Sequence, residues 1–145
     1  MYFVDRERIE QLLQYYEETL QLFLEQASFE TRLEKLALER IGHLFIESIV
    51  DVGNAMIDGF IMRDPGSYED IIDILLDEKV INEEDEKGLK KLISFRKPLV
   101  QEYMSISHGE LKKAIKEEAA VLQAFPDKVR SYLENELGPV SAFRR

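Results

Sequence analysis

The segment from about Thr31 to Ile61 constrains the fold more than any other part of this sequence. Its polar residues Arg40, His43, Glu47, Asp51, Asn54 and Asp58 recur at steps of three and four and form one narrow stripe. Phe45, Ile46, Ile49, Val50, Val52, Ala55, Met56 and Ile57 cover the remaining arc. A helix that is apolar over most of its circumference has to be surrounded by other elements. It is expected at the centre of the domain, with a second subunit as one candidate neighbour. Gly42, Gly53 and Gly59 each cost about 1 kcal/mol against Ala in a helix interior, and they let a neighbouring helix approach closely.

The rest of the chain supplies the surrounding helices. Ile9, Leu12, Leu13, Tyr16, Leu20 and Phe23 make one stripe on a long first helix, about Asp5 to Gln26. Asp64-Pro65-Gly66 punctuates the end of the second, and Ser67 with Asp70 reads as the N-cap of a short third bearing Ile71, Ile72, Leu75 and Leu76. Asn82 with Asp85 repeats that signal before a fourth helix carrying Leu89, Leu92, Ile93, Arg96, Leu99, Val100 and Tyr103. Ser107 with Glu110 resembles a capping box opening a fifth, with Leu111, Ile115, Leu122, Phe125, Val129 and Tyr132, in which Pro126 is expected to produce a kink. No Asn-Gly or Asp-Gly hairpin signal interrupts the pattern. The expected architecture is all-α: an up-and-down bundle of four long helices plus one short helix, one domain over residues 1–145 with a non-helical tail at 138–145.

Composition removes several classes of function. With no cysteine there is neither a disulfide framework nor a thiolate metal site nor a cysteine nucleophile. No stretch approaches the ~18 uncharged residues of a membrane span, and the amino terminus has no signal-peptide pattern, so a cytoplasmic location is expected. Twenty-nine acidic against 19 basic residues give a formal charge of -10, a field that repels polyanions. DNA and membrane surfaces are not expected partners. One window departs from the acidic background: Lys87, Lys90, Lys91, Arg96 and Lys97 occur between positions 87 and 100 with no acid among them.

Standard catalytic templates are missing. A di-iron bundle needs two Glu-x-x-His pairs, and the only histidines, His43 and His108, do not follow a Glu at that spacing. There is no His-Glu-x-x-His, P-loop, dinucleotide-binding glycine pattern or Gly-x-Ser-x-Gly elbow. No metal and no cofactor is expected. His43 reads as a half-exposed helix-face residue and His108 as one that follows a capping serine, neither with an evident catalytic companion. The anomaly is Arg96, set within the apolar stripe of the fourth helix two residues before Pro98. A guanidinium there has to meet carboxylates or open onto a cleft, and the stripe Glu47, Asp51, Asn54 and Asp58 is its natural counterpart. Pro98 removes the helix hydrogen bond to the Ser94 carbonyl, at a cost of about 3 kcal/mol in a helix interior.

The run Arg96-Lys97-Pro98-Leu99-Val100-Gln101-Glu102-Tyr103 resembles the R-x4-H-x-Y signature of the HEPN superfamily, in its HepT-like bacterial toxin branch. The resemblance extends over nearly the whole chain, through Ile49-Val50-Asp51-Val52-Gly53-Asn54 and Pro65-Gly66-Ser67-Tyr68, and is nearest to the YutE-like members. It implies a homodimeric helical bundle acting as a metal-independent endoribonuclease, with two copies of the motif lining a cleft between subunits. It also implies, as partner, a minimal nucleotidyltransferase antitoxin that adenylylates the motif tyrosine. Carried across, the site residues are Arg96, Gln101 and Tyr103, with Tyr103 the adenylylation target and Glu47, Asp51, Asn54 and Lys97 in support.

Two positions depart from the pattern. Gln101 stands where the family has histidine, and Lys97 where many members have asparagine. Metal-free RNA cleavage needs a group to take the 2′-hydroxyl proton and donors to stabilise the charged phosphorane. A glutamine amide does not titrate, and loss of an acid-base group typically costs about 10²–10⁴-fold. Weak or absent ribonuclease activity is the expectation, with a non-catalytic dimeric module that binds a nucleotidyltransferase or a nucleotide as the alternative. His108, seven residues past Gln101, is about two helical turns away and a poor substitute.

Overall fold

The computed structural model describes residues 2–138; the anticipated tail therefore lies outside the described residues beyond Gly138. Seven helices and no strand occur among them: α1 (Arg6–Glu25), α2 (Arg32–Gly59), α3 (Tyr68–Asp77), α4 (Glu83–Ile93), α5 (Arg96–Gln101), α6 (His108–Glu117) and α7 (Ala119–Leu137). None is long and apolar enough to cross a membrane. Short polar side chains start four of them. Asp5, Thr31, Ser67 and Asn82 each accept a hydrogen bond from a backbone N–H of the first turn, which satisfies donors that a helix start otherwise leaves orphaned.

α2 is the central element, packing against α1, α3, α4, α5 and α6. Its apolar arc is buried from Phe45 to Ile57, apart from half-buried Ala55 among the residues anticipated there. The glycines act as the helix expectation requires. A Cβ on Gly53 would stand 2.3 Å from Ile71 Cγ2, and one on Gly59 2.9 Å from the backbone of Val4. α3 and the amino-terminal segment therefore come closer than any side chain there would allow. Tyr16, Phe45 and Phe125 join α1, α2 and α7 in an aromatic cluster, with ring centroids 4.4 and 5.5 Å from Tyr16.

The bundle of four long helices and one short one is corrected to three long helices and four short ones. The anticipated fourth helix is two: α4 stops at Ile93, a turn passes through Ser94 and Phe95, and α5 restarts at Arg96. Pro98 explains the break. Its ring nitrogen cannot donate to the Ser94 carbonyl, and in the restarted helix it occupies the first turn, where N–H groups have no intrahelical acceptor. The expected interior proline cost is thereby avoided. Val100 and Tyr103, anticipated on the apolar face, are exposed, and Tyr103 lies beyond the helix end.

The anticipated fifth helix is also two, joined at Glu118. Ser107 makes no side-chain capping bond, so the Ser107–Glu110 spacing does not produce a capping box. Pro126 lies within α7, which continues through it. The carbonyl that Pro126 leaves without a helical donor is that of Leu122, and the buried Tyr16 hydroxyl donates to it from α1.

Candidate functional site

Arg96 is the first residue of α5, and the turn at Ser94–Phe95 directs it across α2. Its Nε donates to Glu47 Oε1 at 2.8 Å. Its guanidinium carbon lies 4.2 Å from the ring centroid of Tyr68, a cation–π contact. The side chain is 24% exposed, so it is neither sealed in the core nor free in solvent. Both Nη atoms make no hydrogen bond to the described residues and remain available as donors. The expectation that Arg96 meets a carboxylate of the α2 stripe is met by Glu47 alone.

Tyr68 owes its position to the loop before α3. Asp70 accepts from Arg63 Nη1 and Nη2 at 2.8 and 2.9 Å and from the Gly66 backbone N–H at 2.8 Å, while its own N–H donates to Ser67 Oγ. The Arg63 hydrogen bonds, then the Gly66 N–H, hold the Asp70 carboxyl down at about 2. This clamp fixes the N-cap residue immediately before Tyr68.

The other anticipated site residues are dispersed around this centre. Gln101 is exposed at the end of α5, and Tyr103, 62% exposed, follows it with Met104 at 91%. Asp51 lies one turn beyond Glu47; partial burial and then the Glu47 charge raise its carboxyl, with Arg8 opposing. Asn54 is half-buried and makes no side-chain hydrogen bond to the described residues. Lys97 is exposed. The structure thus brings together Arg96 and Glu47, and among the described residues Asp51, Asn54, Lys97, Gln101 and Tyr103 make no hydrogen bond or ion pair with the guanidinium.

The basic window is weaker than its composition suggests. Lys90 is bound by Asp73 and Glu86, and these partners, Asp73 foremost, hold its ammonium above the usual range. Lys91 is bound by Glu117 and Glu118, with Glu117 the main cause of a rise in the same sense. Both lysines join helices rather than face an anion. Arg96 is left as the fixed donor of the region.

Two neighbours escaped the sequence reading as site residues. Tyr68 was part of the resembling segment without an assigned role. His43 stands four residues before Glu47 on α2, with Nε2 3.5 Å from Glu47 Oε1. The signal for His43 was available in that spacing, since residues four apart on a helix are neighbours. The stacking of Tyr68 depends on the α3 approach and has no local sequence signal.

Residues 6–129 match the family described as ribonuclease HepT-like. The chain belongs to the HepT-like ribonuclease family. It is 58% identical over 144 residues to the Bacillus subtilis (strain 168) protein named Putative RNase YutE, covering 99% of this chain and 100% of that one. It is also similar to the solved structure of Bacillus subtilis YutE, described as a cytosolic protein of unknown function, with a TM-score of 0.95 and 59% identity, covering 99% of this chain and 100% of that one. The resemblance stated from the Arg96–Tyr103 run is correct at the level of superfamily and branch, and the HepT-like fold is all-helical as expected.

Proposed function

We propose that the protein is a cytoplasmic HepT-like endoribonuclease of reduced activity that acts without a metal in a toxin–antitoxin pair. Two copies form a homodimer whose cleft holds Arg96, Gln101 and Tyr103 from each subunit. The observation that carries this reading is the Arg96 guanidinium, gripped through Nε by Glu47 and stacked on Tyr68, with its Nη donors uncommitted. A donor pair pre-oriented in this way stabilises a pentacoordinate phosphorane without reorganising during the reaction. The exposed hydroxyl of Tyr103 is open to adenylylation by a minimal nucleotidyltransferase antitoxin.

The decisive experiment measures cleavage of a fluorogenic single-stranded RNA by the purified chain, Arg96→Ala and Gln101→His. Slow cleavage by the wild type, its loss in Arg96→Ala, and a gain of about 10²-fold in Gln101→His are expected. Equal rates for wild type and Arg96→Ala overturn the assignment. A second reading, a non-catalytic module binding a nucleotidyltransferase or a nucleotide, is favoured by the exposed Val100, Tyr103 and Met104 beside the motif. The absence of cleavage by all three proteins supports it.

A further inference from the structure

Both histidines of the chain lie beside carboxylates of one stripe on α2. Glu39, His43 and Glu47 succeed one another there at intervals of four. His43 Nε2 approaches Glu47 Oε1 at 3.5 Å, and the same oxygen accepts from Arg96 Nε at 2.8 Å. An imidazole and the motif guanidinium therefore converge on a single carboxylate oxygen. The His43 and Glu47 side chains are 31% and 32% exposed, so the group is reachable from solvent. His108 is engaged differently: its Nε2 lies 2.7 Å from Glu39, and it shares no partner with Arg96.

We propose that His43 is the proton-transfer group of the Arg96 site, performing from α2 the task that the Gln101 amide cannot. This rests on the ribonuclease reading above and identifies the residue that sustains its activity. Glu47 plays two parts. It fixes the guanidinium by a hydrogen bond, and its Oε1 lies 3.5 Å from His43 Nε2, near enough to draw the imidazole toward the same site. Nδ1, which makes no hydrogen bond to the described residues, is left for substrate.

With a phosphodiester on the Arg96 Nη donors, neutral His43 accepts the 2′-hydroxyl proton as O2′ bonds to phosphorus. The P–O5′ bond breaks, and the 5′-oxygen takes a proton from solvent. The products are a 2′,3′-cyclic phosphate and a 5′-hydroxyl, with no change of oxidation state. Imidazoles change charge in the range where such a base has to work. The charged and titratable groups around His43 are Glu39 and Glu47 on α2, Arg96 from α5 through Glu47, and His108 from α6 through Glu39.

The test compares the wild type with His43→Asn, His43→Gln, His108→Asn and Arg96→Ala in RNA cleavage from pH 5 to 9. His43 is partly exposed, so its variants should fold, and circular dichroism melts verify this. The expected result is a loss of roughly 10²-fold or more in kcat for both His43 variants. KM should change little, and the rise of rate with pH through neutrality should disappear. His108→Asn should retain rate and profile. In parallel, imidazole NMR signals are followed on addition of a 2′-O-methyl oligoribonucleotide, which binds without being cleaved; those of His43 should shift and those of His108 should not. Cleavage that requires Arg96 yet survives in His43→Asn with its pH dependence overturns the inference and leaves the ribonuclease reading standing. Binding of the oligonucleotide without cleavage of RNA also overturns it. A wild type that neither binds nor cleaves defeats the underlying reading as well.

Discussion

One carboxylate fixes the loop that presents Tyr68 to Arg96. Asp70 receives Arg63 on both oxygens and the Gly66 N–H on one, and its pKa falls from an ordinary 3.8 to about 2 on folding. The folded state holds its proton less tightly than the unfolded chain, so the contribution to stability is complete above about pH 4 and disappears as pH falls through about 2. The pair is solvent-exposed, and exposed pairs contribute little. Asp70→Asn should therefore lower the melting temperature at pH 7 by only roughly 1–2 °C, with the gap closing between about pH 4 and pH 2. Melts followed by circular dichroism check this; a constant gap down to pH 2 would show that the carboxylate charge is irrelevant. At this scale the motif arginine was legible, because a guanidinium in an apolar stripe demands an acid and Glu47 lies on the polar stripe of the central helix. Tyr68 was not assigned because its contact depends on a packing approach, and His43 was not, although its spacing to Glu47 was there to read.

At the scale of elements, the cap signals at Ser67 and Asn82 were borne out, the one at Ser107 was not, and the breaks were missed. Ser67 and Asn82 have short side chains that bind the first-turn N–H groups of their own helices, which is a local interaction. The break at Ser94–Phe95 is invisible to hydrophobic spacing, because Leu92, Ile93 and Leu99 are buried on both sides of it and the apolar pattern runs on while the backbone turns. Pro126 shows the complementary case. α7 passes through it because a distant hydroxyl, that of Tyr16, supplies the hydrogen bond that its ring denies to Leu122. Tyr16→Phe should cost about 1–3 kcal/mol by leaving that carbonyl buried and unserved. Pro126→Ala restores an N–H to the same acceptor, so it should recover much of that loss in the Tyr16→Phe background and less in the wild type. Urea unfolding of the four proteins gives the coupling. Any effect of proline on the unfolded chain appears in both backgrounds and cancels. Additivity within about 0.5 kcal/mol would mean that the hydroxyl and the missing N–H are unrelated.

At the scale of the molecule, the proposed dimer and the proposed RNA contact respond oppositely to salt. Each chain carries a formal charge of -10, so two copies repel one another at long range and have to associate through apolar surface. Val100, Tyr103 and Met104 offer that surface at the end of the helix that Arg96 opens. Screening is stronger at high ionic strength, the Debye length falling from about 30 Å at 0.01 M to about 10 Å at 0.1 M, and dimerisation should tighten over that range. RNA binding should weaken instead, since cations are displaced from the phosphates that arginine replaces. With Lys90 and Lys91 committed to acids on neighbouring helices, few phosphates are contacted. The dependence of log affinity on log salt should be shallow, with a slope of about -0.7 for each phosphate neutralised on a single strand. Sedimentation equilibrium at two salt concentrations measures the first effect and fluorescence anisotropy with a labelled oligoribonucleotide the second. Met104→Glu adds charge to a residue 91% exposed in the single chain, so it should leave the fold intact while shifting the protein toward monomer. A variant that remains as dimeric as the wild type would place the subunit interface elsewhere and separate the Arg96 site from any symmetry mate.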